Sequence, residues 1–452
     1  MNHSFVARLF AAWLCWVAID AMAAPVDSKA LDGEFDAIVN DAAHPLASLS
    51  VLAMKNGKVV YQGQFGSKSI DLADPAKSVK ADHATMYRAA SISKLITSLG
   101  VMKMVEQGKL DLDRDIGDYL GYPVRNPNFP KEAITLRMLM SHTSSLRDDG
   151  GYYWEAKLRV DLKDVLVPGG SRYGDGAMWA REGKPGVYFQ YCNFAWGVIG
   201  TVMEKVGGER FDRLMRKLVL DPMRIHGGFN PADLPSADIA NIATLYRKRV
   251  DENAKKSSKE IWNPAGPWVV QVDDYSKEPP AQRALPDYLP GTNGTLFGPQ
   301  GNCRISAEGL GKIMLMLMNG GTLNGKRILK AQSVNTMLHE QWHRDDVAGN
   351  ARPASGAHQM NAWGLGNQHF VDTAGGDRFI AGGGFRAVGH LGDAWGLTSA
   401  MVFDPKSKNG MVFLIGGPGF DPETYPGEYS SFYRHEEKIL TALYRRAIKV
   451  KN

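Results

Sequence analysis

The stretch ASISKLITSLG, residues 90–100, sets a cation, Lys94, into a run that is otherwise apolar or small. Ile92, Leu95, Ile96 and Leu99 recur at helical spacing; Val101, Met102, Met104 and Val105 extend the run, and Gly108 offers a stop. A helix apolar on most of its sides is buried. Burying an unpaired ammonium is costly, so Lys94 must find hydrogen-bond partners, lose its proton, or both. Ser91 lies three residues earlier, which puts its hydroxyl and the amine on one helical face. A serine hydroxyl attacks poorly until a base removes its proton. An amine serves as that base only if desolvation or a nearby cation brings its pKa down from ~10.4 toward neutrality. The pair alone decides nothing, because average composition produces S-x-x-K about once or twice in such a chain. Its bland reading is a lysine that snorkels to the surface.

With 452 residues and 44% apolar content, the chain can bury a large core, as two or three domains or one elaborate one. A net charge of +5 is small for this length, and the lysines and arginines are scattered, so nucleic acid is not an expected partner. The N-terminus, MNHSFVARLFAAWLCWVAIDAMAAP, places Arg8 ahead of an apolar stretch and small residues at Ala21 and Ala23. This is signal-peptide grammar, with residues 1–23 removed, although Asp20 sits unusually close to the apolar stretch. A membrane anchor needs ~20 continuous apolar residues, a run the sequence does not contain. The mature chain, 24–452, is therefore expected to be soluble and exported, periplasmic or secreted, with no stable membrane anchor. Cys15 leaves with the signal; Cys192 and Cys303 stay.

Along the mature chain, LSVLAMKNGKVVYQGQFG (49–66) alternates around an Asn56-Gly57 turn and reads as a β-hairpin. Helices are expected in ITLRMLMSHTSSL (134–146), FAWGVIGTVMEKVGG (194–208) and ERFDRLMRKLVLDPM (209–223). Residues 229–302 dissolve into a long polar stretch with Trp262 and Trp268, of the kind that forms lids or binding surfaces. A helix capped by Ser306 follows, then a second hairpin, LTSAMVFDPKSKNGMVFLIGG (397–417), and a final helix over 432–449. Strands at both ends with helices between predict an α/β lobe, about 24–90 and 303–452. A helical lobe and the long stretch, about 91–302, are inserted in it.

Two further motifs stand beside the first. FQYCNFAWGVIG (189–200) places Tyr191 and Asn193 two apart before a helix, and VGHLGDAWGLTSAMVFDP (388–405) places His390 and Gly392 at a late strand. Each is bland alone: a packed ring beside an N-cap, and a structural histidine. Together and in this order they resemble the serine β-lactamase superfamily, most closely its class C β-lactamase, D-alanyl-D-alanine carboxypeptidase and family VIII esterase branch. TLRMLMSHTSSL (135–146) is similar to that family's Leu-Leu-x-His-Thr-Ser-Gly-Leu segment, with Ser145 where Gly is usual, and residues 301–329 resemble its Ser-Thr-Ala-x-Asp-Leu helix and turn.

The resemblance implies a β-lactamase/transpeptidase-like fold of the α/β (α+β) class, an antiparallel sheet flanked by helices with an inserted all-helical lobe. It implies Ser91 as acylated nucleophile and Lys94 as its base. Tyr191 becomes a second base working with Lys94, taking a proton as a phenolate that Lys94 and His390 stabilise and then returning it to the leaving group. Asn193 orients the substrate and Lys94, and the backbone N–H groups of Ser91 and Asp393, beside Gly392, form an oxyanion hole. His142 and Thr143 brace the helical lobe. No cofactor or metal is implied.

One departure bears on substrate. Penicillin-recognising members carry Lys-Thr-Gly-Ser where this chain has His390-Leu391-Gly392-Asp393, so hydroxyls that bind a carboxylate give way to an alkyl chain and a like charge. A small uncharged ester or amide is the expected substrate; a β-lactamase, D-alanyl-D-alanine carboxypeptidase or D-aminopeptidase is the alternative. Two rivals stand outside this reading. One is a binding or sensor protein of the same fold. The other is a zinc protease through HEQWH, where His339 and His343 would need one helical face, Glu340 as base and a third ligand. Tyr152, Tyr153, Trp154, Trp262 and Trp268 line an aromatic cleft or pack in the core. Cys192 and Cys303 form either a bridge tying down the Tyr191 turn, worth ~4–5 kcal/mol in the chain-entropy model, or two buried thiols.

Overall fold

The computed structural model describes residues 26–249, 262–352, 359–394 and 397–449; the signal segment with Cys15 lies outside these. Both hairpins form where the alternation places them. Ser48–Lys55 pairs antiparallel with Lys58–Ser69 through a turn in which Asn56 and Gly57 both take positive φ (52° and 74°), as a two-residue hairpin turn requires. Leu397–Asp404 pairs with Asn409–Ile415, and Asn409–Ile415 pairs with Ser48–Lys55, so the two ends of the chain meet in the middle of one sheet. Ala387–Ala394, Gln368–Phe370, Ala362–Trp363 and Trp342–His343 extend it on one side and Val79–Lys80 on the other, giving nine antiparallel strands.

Period-2 alternation distributes the central strands between two cores. Leu49, Val51 and Ala53 face Leu31 and Phe35 of the helix Ser28–Val39 and Leu440 and Leu443 of the helix Arg434–Leu443. Leu52 and Met54 face the opposite core, which holds the helices Ile92–Glu106 and Ala307–Met318. Ser306 caps the latter, its Oγ accepting from the Gly309 N–H at 3.1 Å. None of the nine strands lies between residues 92 and 302, a span that carries helices and a separate two-stranded ribbon among its described residues. The boundary is not a break in packing, because one apolar cluster runs from the nucleophile helix through the inserted helices to the sheet. Met86–Arg88 pairs with Arg304–Ser306, joining the chain just before Ser91 to the chain just after the long stretch.

Several expectations are corrected. In residues 134–146 only Leu136–Met140 is helical; the chain then turns at His142 and Ser145, both at positive φ (58° and 64°). Ser145 therefore occupies a left-handed site that glycine takes without strain. The 229–302 stretch is not a featureless loop: Ser236–Ile239 is a helical turn, and Leu245–Lys248 pairs with Trp268–Val272. The helix Ala331–Leu338 stops before HEQWH. His339 is its extended C-cap and His343 lies in the strand Trp342–His343, so the two histidines share no helical face and the zinc-protease pattern fails on geometry. Cys192 and Cys303 are both free and buried, so no bridge forms. Among the described residues no helix is long and apolar enough to cross a membrane.

Candidate active site

Ser91 sits at the N-cap of Ile92–Glu106, and the turn that presents it is held on three sides. Ala90 takes φ +46°, a conformation costly for a residue with a Cβ. The Ala89 N–H donates to the Cys303 carbonyl at 2.8 Å, the Ser399 hydroxyl donates to the Ala89 carbonyl at 3.1 Å, and the Cys303 N–H donates to Ser93 Oγ at 3.1 Å. Gly392 passes so close that a Cβ would stand 2.4 Å from Ser399 Oγ and 2.7 Å from the Ala89 carbonyl oxygen. That approach is why the third motif needs glycine.

Lys94 does not snorkel. Its side chain is fully buried, with Nζ donating to Ser91 Oγ at 3.0 Å, Asn193 Oδ1 at 2.8 Å and the Gln300 carbonyl at 2.9 Å. Desolvation brings its pKa down to about 7, against a partial upward pull from Asp148. The amine lies 4.8 Å from the centre of the Tyr191 ring. Burial pushes the Tyr191 phenol well above its ordinary value, against a partial downward pull from nearby Ser91. His390 is buried, its Nδ1–H donating to the Leu391 carbonyl at 2.5 Å. Burial, with Lys94 nearby, lowers its pKa to about 3. Burial thus pushes Lys94, Tyr191 and His390 alike toward their neutral forms, which works against the phenolate expected for Tyr191.

Sequence reasoning missed Asp148. Its carboxylate accepts from the Asn193 and Phe194 N–H groups at 3.0 and 2.8 Å, capping the helix Phe194–Gly207 in place of Asn193 itself, and from Asn193 Nδ2 at 2.9 Å. This fixes the amide so that Oδ1 faces Lys94. Cys192 Sγ also points to Asp148, at 3.4 Å. His142 braces the same turn, its Nδ1 accepting from the Cys192 N–H at 3.1 Å while its ring lies 4.4 Å from that of Tyr191. The available signal was an acidic residue just after the buried HTSSL segment, but its partners lie 45 residues away.

A cavity of about 740 Å³ opens over this group, lined by Ser91, Tyr191, Asn193 and His390 together with Leu391, Gly392 and Asp393. Of the expected aromatic residues only Tyr152 and Tyr153 reach it. Trp154 packs edge-on against Phe194, and Trp262 and Trp268 cover Arg247 and Lys248. The structure thus gathers Ser91, Lys94, Tyr191, Asn193, His390, Gly392 and Asp393 into one place.

An antiparallel sheet flanked by helices, with a serine and a buried lysine at the head of one of them, is the architecture of the β-lactamase-like serine hydrolases. The family described as Beta-lactamase matches residues 35–428, and the chain belongs to it. Protein flp of Staphylococcus aureus (strain N315) is 27% identical over 180 residues, 39% of this chain and 33% of that protein, so the match spans about a third of that relative's length. Among solved structures, a penicillin-binding protein homologue from Caulobacter crescentus superposes with a TM-score of 0.62 at 18% identity over 93% of this chain and 97% of the other. The D-amino acid amidase of Ochrobactrum anthropi SV3 superposes with a TM-score of 0.60 at 18% identity, over 92% and 97%. At these identities the likeness is one of fold.

Proposed function

We propose that the protein is an exported serine hydrolase that cleaves a small ester or amide through an acyl-enzyme on Ser91. The observation that carries this is the 3.0 Å hydrogen bond between Ser91 Oγ and a fully buried amine whose pKa is about 7. An amine half-neutral at physiological pH is matched to general-base work. Neutral Lys94 takes the Ser91 proton as Oγ attacks the carbonyl carbon. The backbone N–H groups of Ser91 and Asp393 hold the resulting oxyanion, a contribution of about 3–4 kcal/mol per donor in comparable hydrolases. Tyr191, protonated and close to Ser91, gives its proton to the leaving oxygen or nitrogen as that bond breaks and regains one from the Lys94 ammonium. Water, deprotonated by the same route in reverse, then attacks the ester carbonyl and frees Ser91. Asn193 keeps the Lys94 amine aimed at Oγ.

At the strand, Leu391 and Asp393 face the cavity where relatives present hydroxyls, so an acidic substrate group is disfavoured beside Gly392. Hydrolysis of short uncharged esters is expected to exceed that of nitrocefin by at least about tenfold in kcat/KM, a difference of ~1.4 kcal/mol. Ser91→Ala should abolish labelling by a fluorophosphonate probe and lower ester turnover by several orders of magnitude. Labelling that persists in this variant, or maps to Ser93, overturns the assignment.

A further inference from the structure

Resting on that reading, we propose that Arg283 recognises a carboxylate on the substrate, at the cavity wall built by residues 272–302 and not at the strand that carries Gly392. Two guanidinium groups reach this wall, those of Arg88 and Arg283, and they are differently employed. Arg88 is consumed by the protein: Nε and Nη2 donate to Asp273 at 3.2 and 3.1 Å, and Nη1 donates to Asn302 Oδ1 at 2.6 Å. Behind it, fully buried Arg304 donates to the same Asp273 carboxylate at 2.5 Å and to the Asn302 carbonyl at 2.7 Å. Tyr275 adds a third donor to Asp273 at 2.9 Å. That carboxylate is saturated before Arg283 is considered.

Arg283 itself makes one hydrogen bond among the described residues, a long one of 3.5 Å from Nη1 to the Leu296 carbonyl, and forms no ion pair. Arg88 and Arg304 thus share one carboxylate, while Arg283, which also borders the cavity, has most of its N–H donors without a protein partner among the described residues. Desolvation, with Arg304 and Arg88 nearby, brings even this guanidinium down to about 10, as expected for a cation held without its counter-ion. Asp393, on the strand, acts electrostatically on Arg247, whose guanidinium lies over the Trp262 ring. Tyr153 borders the same cavity. A planar fork of spare donors in a half-desolvated wall suits a planar carboxylate bound through two parallel hydrogen bonds. An acidic group repelled by Asp393 therefore has a place in the same cavity, on a different wall.

The test uses carboxylate and carboxamide pairs of otherwise identical aryl esters: 4-nitrophenyl glutarate monoester against its terminal amide, and 4-carboxyphenyl butyrate against 4-carbamoylphenyl butyrate. The native enzyme should favour the acid of at least one pair by tenfold or more in kcat/KM at low ionic strength, with the preference shrinking in salt. Arg283→Ala should lower that acid-to-amide ratio at least tenfold, and Arg283→Lys should restore part of it. A merely structural arginine would depress both members of a pair together and leave the ratio alone. A ratio unmoved by Arg283→Ala, or a preference for the amide in both pairs, overturns the proposal. Titration of Ser91→Ala with the same compounds reads the acid preference as binding without turnover. The Arg283 proposal can thus fail while Ser91 is still labelled, and the hydrolase reading can fail while the binding preference remains.

Discussion

Lys94→Met replaces a buried amine by an apolar chain of similar length, and its effect on stability should depend on pH in a calculable way. In the unfolded chain the amine titrates at its ordinary 10.5, in the fold at about 7. Between these values the unfolded state binds a proton that the folded state does not, so the native protein loses stability as pH falls through this window. The full shift corresponds to about 5 kcal/mol. At pH 9 about 2 kcal/mol of it is felt and at pH 6 nearly all, so Lys94 costs the native protein about 3 kcal/mol more at pH 6 than at pH 9. Methionine carries no such cost. It does leave Ser91 Oγ, Asn193 Oδ1 and the Gln300 carbonyl without their donor, a loss of about 1–3 kcal/mol each that does not vary with pH. The absolute effect of the substitution thus reflects a competition, but its change with pH does not. Urea unfolding of both proteins at pH 6 and pH 9 should show the variant gaining about 3 kcal/mol on the native protein at the lower pH. Equal differences at the two pH values, within 0.5 kcal/mol or so, would refute a lowered Lys94 pKa and with it the base assigned to Ser91.

The same titration should appear in catalysis: kcat/KM for a neutral ester should rise with pH to a plateau through an apparent pKa near 7, with no falling limb from Tyr191 below pH 10; a profile flat from pH 5 to 9 contradicts this. Gly392→Ala should lower ester turnover at least about a hundredfold while retaining cooperative unfolding, because the added methyl must displace the strand from Ala89 and Ser399; near-native kcat would show that the close approach is immaterial. Asp273→Asn should destabilise the protein by about 3–5 kcal/mol in chemical denaturation, since it leaves Arg88 and Arg304 buried together without a counter-ion. Asp148→Ala should lower stability by about 1–2 kcal/mol through the lost cap and cut kcat more than it raises KM, by freeing Asn193; a pure KM effect would place Asp148 in substrate binding instead.

What was legible in the sequence was whatever has a local signature. The hairpins were written in alternation and an Asn-Gly turn, the Ser306 helix in its cap, and the Ser91–Lys94 pair in the conflict between a cation and an apolar helix. Tyr191, Asn193, His390 and Gly392 were legible through order along the chain. The missing parts are tertiary or belong to the backbone. Asp148 acts on Phe194, 46 residues away, and Arg88 on Asp273, 185 residues away. The third acceptor for Lys94 is a carbonyl, which every residue has. The helix expected over residues 134–146 ends at Met140 because the residues that follow, Ser141 to Ser145, are polar and compete for local hydrogen bonds: buried Ser141 bonds Thr143 at 3.0 Å and the backbone turns. The cost of a Tyr191 phenolate was also out of view, because motif matching supplies neighbours but not their solvation: the burial that lowers the Lys94 pKa raises that of Tyr191.

That shared burial also explains why the site needs so large a scaffold. A dehydrated amine, a left-handed Ala90 and a left-handed Ser145 each favour the unfolded chain, the last two by about 1 kcal/mol or more apiece. They persist because the nucleophile helix is enclosed over almost its whole length, from Ile92 to Met102, within the cluster that also includes the inner face of the sheet. Relaxing the Ser91 turn would mean separating it from Cys303 on one side and from Ser399 on the other, in two elements that the sheet and the Met86–Arg88 ribbon already fix. The strain is local and the restraint is distributed, which is what holds a buried amine against Ser91 Oγ.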